Sequence, residues 1–272
     1  MATVHASHSG LQRQLNDMQG GALGTVRQIF GLRKAIKPMI VIALCVLAYL
    51  FLFPLFKSVP FWAYLIPAAL ILLSVLRIAL CLPRGKERQS SAEILQAGIA
   101  GEEKALNLLK KLPDAWHVFN NLVIPYGEGR KSETDLICVG PGGLYVIEVK
   151  NYKGSLSGDW GDYNLLHTKT GPEPKEEEVY NPVRQVATHR FALKMYLKEK
   201  GVAAPGIRTM VYFADEGLSD DVTDENDTCE NEECQVFFAA QQKDLLSALQ
   251  LNGSLEDARI NAVAQALDKL TK

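Results

Sequence analysis

What the sequence lacks first is a surplus of charge. Its 272 residues carry 29 Lys+Arg against 31 Asp+Glu, a formal net charge of −2 at pH 7. Bulk charge therefore does not hold it to a polyanion, which excludes a basic nucleic-acid-coating protein. Cysteine is scarce: there are five, an odd number, and Cys45 and Cys81 sit within apolar runs. A disulfide-dense secreted domain is thereby excluded. No P-loop, Gly-x-Ser-x-Gly elbow or dinucleotide fingerprint occurs. Cys229-x₄-Cys234 has no second ligand pair beside it, so a solvated loop is expected there rather than a metal knuckle. What is present in quantity is apolar residues, at 47%, which excludes wholesale disorder.

The small net charge hides a division. Residues 1–89 hold ten Lys+Arg and two acids, and residues 90–272 hold nineteen against twenty-nine. A basic, apolar first part thus precedes an acidic second one.

Residues 38–56 (PMIVIALCVLAYLFLFPLF) contain no charge, and residues 61–82 (FWAYLIPAALILLSVLRIALCL) contain only Arg77. At 1.5 Å per residue these runs make helices about 28 and 33 Å long, matching a hydrocarbon core of roughly 30 Å. Trp62 and Tyr64 suit one interface, and Arg77 is near enough to its helix end to snorkel to the other. A transmembrane helical hairpin over 38–82 is expected. Arg27, Arg33, Lys34 and Lys37 precede it, Arg84, Lys86 and Arg88 follow it, and only Lys57 lies in its loop. The positive-inside rule then puts both termini in the cytoplasm. The apolar run starts too late for a cleaved signal peptide. Residues 1–37 read as a basic cytoplasmic arm and 83–92 as a linker.

Beyond the linker, Ser90 to Glu93 has capping-box spacing and announces a helix that apolar positions carry toward Pro113. Gly98 and Gly101 interrupt it, at about 1 kcal/mol each relative to alanine, so close packing is expected there. Trp116–Ile124, Thr134–Val139 and Leu144–Val149 read as strands, the last two joined by Gly140-Pro141-Gly142-Gly143. A further ribbon is expected over 154–168. Asn181-Pro182 opens a helix through Tyr196 with Val183, Val186, Phe191 and Leu193 apolar, and Ile207–Phe213 reads as a buried strand. Residues 215–233 contain ten acids and no Lys or Arg, which reads as a solvated loop, with an acidic loop bounded at 215–235. Residues 236–272 supply one more strand and helices. The order α-β-β-β-α-β over 93–214 indicates an α/β fold with a mixed sheet.

The hairpin carries the chemistry. With a symmetric four-residue connection Asp135 stands opposite Glu148, their Cβ atoms about 5 Å apart. Strand periodicity puts Lys150 on the face of Glu148. Two carboxylates that close stay ionised only when a cation is shared between them. Mg²⁺ takes such oxygens and keeps waters for substrate phosphates. The alternative is an exposed strand face on which Lys150 neutralises Glu148.

Three blocks settle on a resemblance. AGIAGEEKALNLL, SETDLICVGPGGLYVIEVKNYKGSLSG and NPVRQVATHRFAL, in that order over residues 95–213, resemble the NERD (nuclease-related) domain of the PD-(D/E)xK nuclease superfamily. The resemblance implies a restriction-endonuclease-like core and a metal-dependent nuclease acting on DNA or RNA. It implies Asp135 and Glu148 as carboxylates for Mg²⁺ (or Mn²⁺), Glu102 as a further metal carboxylate, and Lys150 as the residue that orients or activates the attacking water. Gln185 would reach the site from the second core helix. Lys153, Arg184 and His189 would be substrate contacts. A bacterial inner membrane, with both termini cytoplasmic and the bilayer contacted through 38–82, is the implied setting. The acidic 215–233 segment and the absence of a basic groove in the sequence point to an alternative of another class. That alternative is a catalytically inactive membrane-tethered adaptor or nucleic-acid-binding module that keeps the fold.

Overall fold

The computed structural model describes residues 1–6, 10–19, 40, 69, 72–73, 85–171, 174–204, 206–231, 234–251, 253 and 255–271. The expected membrane hairpin, apart from four isolated positions, lies outside the described residues. Among the described residues no helix is long and apolar enough to cross a membrane. The chain divides into two units, residues 13–95 and residues 1–12 with 96–272. The second unit carries the site.

The elements of the chain in order begin with β1 (Thr3–Ala6), α1 (Gly10–Gln19), α2 (Gly85–Leu109), β2 (His117–Tyr126), β3 (Arg130–Gly140) and β4 (Gly143–Lys150). There follow β5 (Gly154–Asp159), β6 (Asn164–Lys169), β7 (Lys175–Tyr180), α3 (Pro182–Glu199) and β8 (Ile207–Phe213). The chain ends with β9 (Leu218–Thr223), α4 (Thr228–Asn231), β10 (Cys234–Phe238), α5 (Gln242–Gln250) and α6 (Asp257–Asp268). A six-stranded mixed sheet runs β1-β2-β3-β4-β8-β10, and a four-stranded sheet runs β7-β6-β5-β9. Around the larger sheet the core forms two clusters. One joins Phe119, Ile137, Val146 and Val211 to Val183, Val186 and Leu193 of α3 and to Ile260 and Val263 of α6. The other joins Val118, Cys138, Tyr145 and Ile147 to Leu108 and Leu109 of α2 and to Leu245 and Leu249 of α5. The mixed α/β fold expected from the order of elements is present, with three strands of the smaller sheet inserted between β4 and α3 and the fourth, β9, supplied after β8.

Register follows hydrophobic pattern and turn geometry. The β3–β4 hairpin pairs Leu136 with Ile147, Ile137 with Val146 and Gly140 with Gly143, the register expected of a symmetric connection. Gly142 is required in that turn by space, because a Cβ there would meet the carbonyl oxygen of Leu249 at 1.8 Å. β8, expected as a buried strand, lies parallel between β4 and β10.

Several expectations change. α2 starts at Gly85, so Ser90 to Glu93 lies inside a helix rather than at its cap, and the helix stops at Leu109, short of Pro113. Of the apolar positions of α3, Phe191 is exposed. The acidic stretch 215–233 is not loop throughout: Leu218–Thr223 pairs parallel with β5, and Thr228–Asn231 is a short helix. There Leu218 and Val222 pack against the core while Asp220 and Asp221 stay in solvent, so an edge strand carries acids at little cost. Within the expected N-terminal arm, Thr3–Ala6 forms a strand parallel to β2, which no periodicity announced.

Two stability predictions follow from local geometry. Gly101→Ala normally gains about 1 kcal/mol in a helix interior, but here its Cβ would lie 2.7 Å from Cβ of Asn151. The variant therefore melts below wild type by circular dichroism, and a raised melting temperature would contradict the packing. Asp159 is hydrogen-bonded by the backbone N–H of Glu225 and Gly161 and by the Thr223 hydroxyl, which together hold its carboxyl below the usual range. A depressed folded pKa gives stability that is present above the unfolded value and lost as pH falls through the folded one. Asp159→Ala accordingly lowers the melting temperature at pH 7, and the gap to wild type narrows as pH drops below about 4. A gap independent of pH would contradict the assignment.

Candidate active site

The carboxylates gather where the sheet is irregular. The β2–β3 ladder pairs Asn120 with Leu136, resumes at Leu122 with Thr134, and passes over Asn121 and Asp135. Asn121 is buried with φ +54°, a left-handed conformation uncommon outside glycine. Below this level Phe119 and Ile137 face the α3 side, and above it Leu122, Ile124 and Ser132 do. The alternation therefore changes phase at Asp135, freeing that residue from the ladder.

Asp135 Oδ2 accepts a hydrogen bond from the backbone N–H of Val149 at 2.8 Å, which ties it to β4 beside Glu148. Burial, then the neighbouring Glu148 charge, push its carboxyl well above the ordinary range, and the charge of Glu102 adds to the effect. Glu102 comes close because Gly101, the residue before it, lets α2 approach Asn151. The close packing that Gly98 and Gly101 forecast is present: a Cβ on Gly98 would meet Leu11 at 2.9 Å.

Glu148 is only 2% exposed. Its Oε1 lies 2.7 Å from Lys150 Nζ, and its Oε2 lies 3.1 Å from His189 Nε2, off the line of a hydrogen bond. Burial opposes ionisation, but His189 and Lys150 outweigh it and hold the carboxyl below its usual value. Lys150 Nζ also donates to Gln185 Oε1 at 2.9 Å. Burial works against its charge, yet Glu148 outweighs this and raises the ammonium's pKa, so Lys150 stays protonated. His189 is buried and is held from behind by Ser132, whose Oγ lies 2.6 Å from Nδ1. With a carboxylate facing Nε2, the consistent tautomer has the proton on Nε2 and Nδ1 accepting from Ser132.

α3 delivers Gln185 and His189 through its start. Asn181 Oδ1 accepts from Val183 N–H as the cap, and its Nδ2 donates to the carbonyls of Trp160 and Asp162. Pro182 occupies the first helical position, where no N–H is needed. The Asn-Pro pair thus locks the helix to the turn between β5 and β6.

The structure brings Asp135, Glu148, Lys150, Gln185 and His189 together, with Glu102 electrostatically in range. His189 points at Glu148 rather than outward. Arg184 donates from Nε to the carbonyl of Asp162 (2.8 Å) and from Nη2 to that of Gly161 (2.5 Å), so its guanidinium is engaged in the turn. Lys153 is exposed, and its carbonyl accepts from His167 Nε2. Sequence reasoning missed Asn121 and Ser132. Neither carries a motif signal, and only an extra residue in the strand alternation could have marked Asn121. Among the described residues no group of three or more His, Cys, Asp and Glu side chains is arranged to hold a metal ion.

Comparison with known proteins bears on the same segment. Residues 97–214 match the family model of the nuclease-related domain (NERD). "Probable kinase PglW" of Streptomyces coelicolor is 29% identical over 120 residues, 43% of this chain and 8% of that protein. An uncharacterized protein of Bacillus anthracis, pXO1-01, is 27% identical over 104 residues, 38% of this chain and 48% of that one. The chain thus spans less than half the length of these curated relatives. No solved structure matches. The matched segment opens within α2, ends just after β8 and contains every residue of the cluster: residues 97–214 are a nuclease-related domain.

Proposed function

We propose that the protein is a membrane-anchored, Mg²⁺- or Mn²⁺-dependent nuclease of the PD-(D/E)xK type that hydrolyses phosphodiester bonds of DNA or RNA at the cytoplasmic face. The observation that carries this reading is the charge deficit of the site. Asp135 and Glu148 have one ammonium between them, which sits on Glu148, and Asp135, buried and facing the Glu148 charge, resists ionisation. Glu148 Oε2 is buried without a hydrogen bond. A divalent cation is what this set of donors lacks. Mg²⁺ ordinarily takes one or two protein carboxylates and fills its shell with water and substrate phosphate, so it does not need a cluster of three.

Asp135 and Glu148 would hold the cation, with Glu102 adding negative charge. When bound it would polarise the phosphodiester and lower the pKa of a water molecule. The chain's own groups do the rest. Lys150 and His189 fix Glu148 in one orientation. Lys150, kept protonated and steered by Gln185, is suited to steady negative charge building on the phosphoryl oxygens and unsuited to accept a proton. Ser132 fixes His189 and so acts on Glu148 at second hand.

The anchor is residues 38–82, on the length and flanking charge of the two apolar runs. The pairing of β1 with β2 supports an even number of crossings. Residues 1–12 and 96–272 belong to one folded unit, so a chain that leaves it after residue 12 returns on the same side by residue 96. A bacterial inner membrane is the proposed location.

Three measurements test this reading. Calorimetry on the full chain detects Mn²⁺ binding that is lost in Asp135→Asn; equal binding by both would overturn the metal site. The same substitution raises the melting temperature at neutral pH without divalent cations. Folding raises the pKa of Asp135, so stability is lost as pH rises from the ordinary carboxylate value through the folded one, and Asn removes that cost while still accepting from Val149 N–H. An unchanged or lowered melting temperature would contradict the charge deficit. Finally, the full chain sediments with membranes and is released by detergent but not by high salt, and deletion of 38–82 makes it soluble. Release of the full chain by salt alone would remove the anchor.

A further inference from the structure

The β2–β3 hairpin tip and the outer face of α3 meet in a chain of rings and cations, of which Tyr126 is half-buried and the others are exposed. The Arg130 guanidinium carbon lies 4.9 Å from the centroid of the Tyr126 ring, and Tyr126 meets Phe191 edge-on at 6.2 Å and 87°. Phe191 is 50% exposed, although aromatic residues of that size usually find cover. Lys194, Met195 and Lys198 follow it at three, four and seven residues, on one helix face, and all three are exposed. Over Pro182–Glu199 the helix holds four Lys+Arg and one acid, Glu199, within a part of the chain (90–272) that is acidic overall. The tip itself adds one acid, Glu128.

The patch is continuous with the site described above. On β3, Arg130 stands two residues before Ser132 and shares its face, while Phe191, about 200° round α3 from His189, joins the patch through its edge-on contact with Tyr126. β2 ends, β3 begins and β4 ends toward the same edge of the sheet, the edge at which Lys150 lies.

Resting on the nuclease reading, we infer that Tyr126, Arg130, Phe191, Lys194, Met195 and Lys198 form the track for an unpaired nucleic-acid strand entering that site. Cations along one ridge meet backbone phosphates, and open aromatic and thioether faces meet bases. Stacking of this kind needs bases released from a duplex, which selects single-stranded substrate over double-stranded, and it tolerates any sequence.

The test is fluorescence anisotropy with the full chain in detergent, with Ca²⁺ in place of Mg²⁺, using labelled oligo-dT, oligo-U and a blunt duplex. Wild type binds the single strands in preference to the duplex, the dT and U arms telling DNA from RNA. Phe191→Ala weakens binding about tenfold, the size expected for one lost base stack. Lys194→Glu with Lys198→Glu weakens it further and flattens the dependence on salt, which a purely structural role for these exposed residues would not do. Oligonucleotide affinity and salt slope unchanged in both variants overturn the track, and loss of binding to anionic phosphatidylglycerol vesicles in their place assigns the ridge to lipid. Glu148→Gln separates the two readings: it keeps strand binding and loses cleavage. A wild type that cleaves while the ridge variants bind normally sinks only the track, whereas a wild type that neither binds nor cleaves sinks both.

Discussion

The site depends on one buried negative charge. Glu148 is almost inaccessible to water, and an isolated carboxylate so placed would take up a proton rather than stay charged. It stays ionised because Lys150 arrives from its own strand and His189 from α3. Removing one partner of a buried charged set leaves the other uncompensated, a loss far larger than that of an exposed ion pair. The sheet, the helix start and the turn that anchors it all bear on keeping Lys150 and His189 in place.

That dependence orders the surrounding architecture. Asn181 and Pro182 set where α3 begins, which fixes the depth at which Gln185 and His189 meet β4. The smaller sheet gives Asn181 its carbonyl partners, so an insertion between β4 and α3 becomes part of the support of the site. On the other side, Gly101 brings α2 against Asn151 and with it the charge of Glu102 toward Asp135. Asp135 is the unbalanced member. Buried, and next to the charge of Glu148, it resists ionisation, which on this account marks a site prepared for a cation rather than one optimised for stability.

Much of this was legible in the sequence, and for identifiable reasons. The Gly-Pro-Gly-Gly connection specified the β3–β4 register, since strand periodicity leaves no freedom once the turn is symmetric. The continuous apolar run of β8 and the Asn-Pro opening of α3 were equally plain. The phase change at Asn121 was not, because a left-handed asparagine inside a strand has no pattern of its own. β1 was hidden for a different reason: four residues are too few to show alternation, and its place is set by pairing with β2. β9 was masked by its acids, which sit on the solvent side of an edge strand. Ser132 and the inward turn of His189 were beyond sequence because they depend on contacts between β3 and α3. The cationic ridge was scattered along the chain as Arg130, Lys194 and Lys198, and only folding aligns them with Phe191.

The central claim is that Glu148 is a charge held ready for phosphodiester chemistry. The most direct measurement is cleavage of circular and linear DNA and RNA by the full chain, with Mg²⁺ or EDTA, beside Glu148→Gln. The account predicts metal-dependent cleavage by wild type and none by the variant, with both folded by circular dichroism. Cleavage that persists in folded Glu148→Gln, or no cleavage by wild type of any of these substrates with Mg²⁺ or Mn²⁺, would contradict it.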